Sequence, residues 1–276
     1  MTTSEPDRRS IVFTAASVAE NYELRLAPVV FEPWAAILVE VAGVRSGDRV
    51  LDVASGTGVV ARLAACRAGP GGSVLATDVS GVMLAHAATR TVSPDAAAIE
   101  YLEAPATQLR ALDADFDVVL CQQGMQFFGD RLAAAGEIRR VLRTGGVAGV
   151  AVWAEGHRLE PFDDYTDALI AADVESPFPG AYESSSYVMG ADELEALLAA
   201  AGFVGVEVSI VEHTIVWPDS NAAAAGILGT PFGPLVAGLP HERREALMIE
   251  LASRAGDRSD QPVRRSSHAV IARATA

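Results

Sequence analysis

The stretch VLDVASGTGVVA, residues 50–61, decides the fold. Val50–Val53 is a short apolar run, long enough for a buried strand. It breaks into a turn holding Gly56 and Gly58, and a helical pattern follows at once. Glycines suit such a turn because it needs unusual backbone angles and lets a ligand approach the main chain without a Cβ in the way. The helix start that follows offers free N–H groups and a partial positive charge.

Working outward, strands and helices alternate. Arg49–Ala54 reads as strand one, Thr57–Ala68 as a helix, Ser73–Thr77 as strand two and Ser80–Arg90 as a helix. Ile99–Leu102 and Asp115–Cys121 are strands three and four. Asp130 caps a helix reaching Arg143, with Leu132, Ala135, Ile138 and Leu142 expected on its inner face. Thr144-Gly145-Gly146 stops it before strand five, Val147–Trp153. This rhythm predicts a Rossmann-like doubly wound α/β sheet, mostly parallel and buried on both faces.

Before it, residues 11–44 read as helix interrupted by Pro28 and Pro33, with Phe31, Trp34, Ile37, Leu38 and Val41 facing inward. Residues 1–10 read as a mobile arm. Residues 154–190, richer in aromatics, prolines and acids, interrupt the rhythm as a lid insertion. Residues 191–276 return to the sheet: a helix Asp192–Ala201, an alternating strand Val204–Trp217 (Val206, Val208 and Ile210 inward), a helical insertion over 220–255 and a last strand His268–Arg273. The run 220–240 is uncharged and long enough to span a membrane. Three prolines and four glycines break it, so short helices over the core are expected and no integral membrane segment.

Composition narrows the function. The 276 residues carry a formal net charge of −15 and no lysine. An acidic surface repels phosphate backbones, and no basic patch with interleaved aromatics offsets it, so no nucleic-acid partner is expected. Two cysteines, Cys66 and Cys121, make no disulfide framework and lack metal-ligand spacing, so no metal is expected. The polar start MTTSEPDRRS lacks a signal-peptide core, and a cytoplasmic setting is expected.

A second carboxylate sharpens the reading. Asp78 ends strand two, twenty residues past Gly58, where it can accept both ribose hydroxyls of an adenosine cofactor. Such a charge-assisted contact contributes about 1.5–3 kcal/mol. Gly56-x-Gly58-x-x-Ala61 also satisfies a dinucleotide fingerprint, which keeps an NAD(P)-dependent oxidoreductase as an alternative. Three features favour S-adenosylmethionine (SAM). Asp52 inside strand one suits an ammonium and sits awkwardly near a pyrophosphate. A helical segment precedes the first strand. Two further strands follow the fifth.

RVLDVASGTGVVAR (49–62), ATDVSGVML (76–84), FDVVLCQQGMQFF (116–128) and RRVLRTGGVAGVAVW (139–153) together resemble a class I SAM-dependent methyltransferase. The resemblance is to the ubiquinone/menaquinone-biosynthesis subgroup and covers roughly residues 15–155 well. It implies a seven-stranded sheet with a reversed last strand and methylation of a small-molecule acceptor at oxygen, carbon or nitrogen, with S-adenosylhomocysteine (SAH) as product. Ala54, Gly56 and Gly58 would line the methionine and ribose, with Asp52 behind. Asp78 would hold the ribose. Val79 and Met83 would sandwich the adenine, and Ala106 would offer its backbone. Cys121, Gln122 and Gln123 would border the methyl donor. Where the family often has Gly-Asp-Ala after strand three, this chain has Ala104-Pro105-Ala106, so Glu103, Gln108 or packing alone must serve the adenine edge.

His157, past strand five, is the candidate base, with a plain loop histidine as the competing reading. Tyr22, Phe31, Phe128 and Trp153 are candidate walls of the acceptor pocket, each otherwise ordinary core. Cys121 is read as packing rather than nucleophile. A SAM-fold protein that binds without catalysing is a further alternative, and a homodimer stays open.

Overall fold

In a computed structural model, the described residues are 15–175, 181–183, 187–256 and 260–276. The expected mobile arm, residues 1–10, lies outside them. Helix α1 (Ala16–Asn21) runs without a break through a π-helical stretch, Tyr22–Phe31, into α2 (Glu32–Ala42). The two prolines therefore do not interrupt this helix, contrary to the sequence expectation. Pro28 lies within the π stretch, whose wider turn gives the ring room, and the Glu32 N–H bonds five residues back to the Ala27 carbonyl. Pro33 occupies the start of α2. Val41 is exposed, not inward, while Trp34 and Leu38 are fully buried.

The alternation then follows as β1 (Arg49–Val53), α3 (Val59–Ala68), β2 (Ser73–Asp78), α4 (Gly81–Ala87), β3 (Ala98–Glu103), β4 (Phe116–Gln122), a 3-10 turn (Met125–Phe127), α5 (Arg131–Val141) and β5 (Leu142–Trp153). Asp130 caps α5 by accepting the Ala133 N–H at 2.9 Å. Leu132, expected inward, is half exposed; Ala134, Ala135, Ile138 and Val141 form the buried stripe instead. β5 starts at Leu142, before the glycine pair rather than after it.

Beyond β5 come α6 (Phe162–Ala171), α7 (Ala191–Ala200), β6 (Val204–Trp217), α8 (Ser220–Ala225), a 3-10 turn (Gly226–Gly229), α9 (Gly233–Gly238), α10 (His241–Ala255) and β7 (Val263–Thr275). The sheet has seven strands in the order β3-β2-β1-β4-β5-β7-β6, and β7 alone runs against its neighbours. This is the Rossmann-like sheet with a reversed last strand expected from sequence.

Two apolar cores flank it. One joins the N-terminal helix and α3 to one face through Trp34, Leu38, Val60 and Leu120. The other joins α5 and α7 to the opposite face through Ile138, Leu194 and Val119. The long edge strand β6 explains why Ile210 is exposed. Its first half packs Val206 and Val208 on the second core, and its second half packs Val211, Ile215 and Trp217 on the first. Side chains alternate sides strictly, so the covered positions change from even to odd along the strand. A third core joins α6 to α9 and α10 through Tyr165, Leu169, Phe232 and Leu251. The Tyr165 hydroxyl donates to the Ala223 carbonyl at 2.7 Å. Helices α6, α9 and α10 thus pack on one another. Among the described residues, no helix is long and apolar enough to cross a membrane.

Candidate functional site

The site forms at the carboxyl ends of β1, β2 and β4, where side-by-side parallel strands release their loops together. After β1 the backbone enters the left-handed region at Ala54 (φ 57°), Gly56 (φ 53°) and Gly58 (φ 79°). A Cβ on Gly58 would come within 3.2 Å of the Ala87 Cβ, so both angle and space call for glycine. After β4 the chain does the same at Gln123 (φ 49°), whose N–H is held by the Ala151 carbonyl at 2.8 Å. Left-handed Ala54 and Gln123 are uncommon for residues with a Cβ, and such strain collects at ligand sites. The two loops touch: a Cβ on Gly124 would lie 2.7 Å from the Ala54 Cβ.

Asp78 is fixed by main-chain donors. Its Oδ1 accepts the Ser80 N–H and its Oδ2 the Gly56 N–H, both at 2.8 Å. Burial still raises its pKa, against the pull of those amides. Asp52 has no such support. It is 1% exposed, and neither oxygen has a hydrogen-bond partner. Burial drives its pKa well upward. The backbone amide of Ala61 opposes this, the Asp78 charge reinforces it and Arg62 opposes it.

The orphaned polar atoms are concentrated here. Of sixteen buried side-chain N and O atoms without a partner among the described residues, nine belong to Asp52, Ser55, Thr57, Gln122, Gln123 and Gln126. Each such atom costs about 1–3 kcal/mol, so a cluster of them marks a place built for a ligand rather than for stability. The set fits SAM: an unpaired, desolvated carboxylate for a cationic amino acid moiety, and a loop open to close approach.

The other sequence candidates fall as follows. Met83 is buried, its Cε 3.7 Å from where a Gly56 Cβ would stand, and Val79 is half exposed. Ala106 is buried with Leu109 and Phe116. Pro105 and Gln108 are exposed, and Glu103 lies against Gly81 at the start of α4, close enough to raise the Asp78 pKa. Cys121 is fully buried, and burial pushes its thiol up to about 12. Gln122 donates from Nε2 to the Phe31 carbonyl at 3.1 Å, tying β4 to the N-terminal helix.

Tyr22, Phe31 and Trp153 come together. Tyr22 stacks on Phe31 at 4.6 Å between ring centroids, and Phe31 meets Trp153 at 6.1 Å. Trp153 in turn meets Phe162 of α6 at 6.0 Å. The Tyr22 phenol is held well above its ordinary pKa by burial and by the charges of Glu23, Asp78 and Asp52. Phe128 stands apart from this run, against Gly124. His157 is exposed, its ring stacked on His268 of β7 at 3.9 Å. Among the described residues, no three His, Cys, Asp or Glu side chains group as metal donors.

Two features escaped the sequence reading. Gln126, fully buried, is one polar residue in an apolar turn, and that contrast was its only signal. Glu23, in the π-helical stretch, pairs with Arg62 at 2.7 Å and Arg90 at 3.2 Å. Arg62 also donates to the Thr57 carbonyl at 2.6 Å. The N-terminal helix is thereby pinned to the glycine loop, across a sequence separation no local pattern reveals.

The comparisons agree with this geometry. Residues 1–216 match the model of the ubiE/COQ5 methyltransferase family. The chain is 33% identical over 205 residues to a ubiquinone/menaquinone biosynthesis C-methyltransferase UbiE of Stenotrophomonas maltophilia, covering 70% of this chain and 80% of that one. It is 32% identical over 207 residues to the Xylella fastidiosa protein of the same description, with the same coverage. A phosphoethanolamine N-methyltransferase 2 of Haemonchus contortus shares the fold with a TM-score of 0.63 at 19% identity, over 100% of this chain and 61% of that one. Neither the oxidoreductase nor the non-catalytic alternative is favoured. The chain belongs to the ubiE/COQ5 methyltransferase family and is a SAM-dependent methyltransferase acting on a small molecule.

Proposed function

We propose that this enzyme methylates a flat, largely apolar acceptor held between the N-terminal helix and the lid. Asp52 would receive the ammonium of SAM beside Ala54, Gly56 and Gly58. Asp78 would hold the ribose hydroxyls. Val79 and Met83 would enclose the adenine, with the Ala106 backbone or Glu103 at its edge. Cys121, Gln122 and Gln123 would border the methyl donor. The observation that carries this reading is the pair of carboxylates at the ends of neighbouring parallel strands, Asp52 buried with no partner and Asp78 half-buried on two backbone amides.

When bound, SAM supplies an activated methyl whose leaving group departs neutral, so the protein's work is alignment and exclusion of water. The run Tyr22–Phe31–Trp153 supports an aromatic-walled acceptor site; Phe128, against Gly124, would border it only from the β4 loop. The C-methyltransferase relatives support carbon as the methylated atom. His157 would act as base only for an acceptor reaching past Trp153 toward β7. The 154–190 and 220–255 insertions act as one cap over this end, the protein works in the cytoplasm, and a homodimer is the assembly to test by light scattering.

Calorimetry tests the proposal. SAM and SAH each give saturable heat with the wild type, NADH gives none, and Asp78→Ala weakens both by roughly tenfold or more. No heat with either SAM or SAH overturns it.

A further inference from the structure

Asp52 is an unpaired acid with a cation close by. Neither of its oxygens has a hydrogen-bond partner. The charges that act on it are those of Asp78 on β2 and Arg62 on α3. It acts in turn on the Tyr22 phenol of the π stretch, the Tyr101 phenol of β3 and the Cys121 thiol of β4. The Ala61 amide also acts on it, and Arg62 is the next residue of that turn. A buried carboxylate in the field of a guanidinium gains most by taking it as a hydrogen-bonded partner. Here it does not.

The guanidinium is held elsewhere. Its Nη1 donates to the Thr57 carbonyl at 2.6 Å and its Nη2 to Glu23 Oε1 at 2.7 Å. Nη1 also stands 3.6 Å from where a Gly58 Cβ would be, against the glycine loop. Glu23 is buried in this position, and its Oε2 has no hydrogen-bond partner. The second arginine on its Oε1, Arg90 at 3.2 Å, is half exposed. A buried pair contributes little net stability, because desolvation of the two ions cancels most of their attraction. Where the pair keeps the guanidinium explains it better than the stability it adds.

We propose that Glu23 is a positioning residue of the cofactor site, holding the Arg62 guanidinium off Asp52 so that this carboxylate is free for the ammonium of SAM. The proposal rests on the methyltransferase reading above and on the place given there to Asp52. Without Glu23, Arg62 would close on Asp52, and the cofactor would have to displace a cation belonging to the chain itself.

The experiment follows SAH binding against pH by calorimetry. In the wild type, affinity is expected to fall on the acid side, where Asp52 takes up a proton and no longer holds an ammonium. Glu23→Gln should lower the affinity roughly tenfold at its best pH, the weight of one charge-assisted hydrogen bond. It should also move the acid limb to lower pH, because a guanidinium on Asp52 favours the charged form. Adding Arg62→Met should recover most of the lost affinity and move the limb above that of the wild type. Glu23→Met with Arg62→Met replaces the pair by apolar side chains, a change that folded proteins tolerate well, and should behave as the first double variant does. If Glu23 only fastens the helix, Glu23→Gln weakens binding with the limb unmoved and Arg62→Met recovers nothing. Either result overturns the proposal. Should Glu23→Gln fail to fold, the double variants are compared with the wild type, and an affinity about tenfold or more below it overturns the proposal. Failure of the wild type to bind SAH overturns the methyltransferase reading, and undiminished binding by Asp52→Asn overturns the place of Asp52; each takes the proposal with it.

Discussion

The Oδ2 atom of Asp78 accepts the backbone N–H of Gly56 at 2.8 Å, so the end of β2 holds the loop after β1 in place. One carboxylate shapes the glycine loop and, in the proposed reading, also presents lone pairs to a ligand. Asp78→Ala loses both, and Asp78→Asn keeps an acceptor oxygen for Gly56. SAH affinity measured by calorimetry should fall in the order wild type, Asp78→Asn, Asp78→Ala. Equal affinities for the two variants would refute the double role.

Asp52 gives a prediction about pH. Its folded-state pKa is held well above the ordinary 3.8. The folded protein therefore keeps a proton that the unfolded chain has already released, and Asp52 lowers stability progressively as pH rises from the ordinary value through the raised one. Asp52→Asn removes this penalty. Its ligand-free melting temperature near neutral pH should exceed that of wild type, by about 2–4 °C per kcal/mol recovered. The gap should shrink as pH falls toward the ordinary carboxylate range. SAM binding by the same variant should weaken.

Gly124 tests the contact between the two loops. A methyl there would meet the Ala54 Cβ at 2.7 Å and the Cys121 sulfur at 3.1 Å. Gly124→Ala should cost about 1–3 kcal/mol, the usual penalty of overpacking. Urea unfolding reads the stability, and SAH affinity should fall with it. A variant as stable as wild type would mean the loops separate more easily than their packing implies.

The Glu23–Arg62 pair joins the N-terminal helix to the glycine loop, with side chains only 6% and 15% exposed. Glu23→Ala leaves Arg62 partly buried without its partner, and removing one member of a buried pair costs about 3–5 kcal/mol at the upper limit. The variant should melt lower and show a raised KM for SAM. An unchanged KM would separate the helix from cofactor binding.

Cys121 and Cys66 should differ in reactivity. The nucleophile is the thiolate, and burial pushes Cys121 up to about 12 while Cys66 is exposed. Iodoacetamide at mildly alkaline pH should label Cys66 alone in the folded protein, as read by peptide mass spectrometry. Labelling of native Cys121 would contradict its burial.

The strand–turn–helix at 50–61 and the carboxylate at 78 were legible because their signals are local: apolar runs, glycines that need left-handed angles, and an acid at a strand end. Pro28 misled because a proline predicts interruption only of an ordinary α-helix, and the π turn removes the conflict. Leu132 and Ile210 were assigned to the core by periodicity, but which helix or strand face is covered depends on partners far along the chain. The same holds for Glu23 with Arg62 and for the packing of α6 on α10, which bring together segments separated by 39 residues in the first case and by three helices, a 3-10 turn and a strand in the second.

If the acceptor lies where proposed, Trp153 bears on how the enzyme's appetite for acceptors can change. Its ring touches Phe31 and Trp34 on one side and Phe162 of α6 on the other. Carving room for a bulkier guest at this position would also loosen the footing of α6. Redesign, by selection or in the laboratory, should thus proceed by exchanging the tryptophan together with α6, as a cassette.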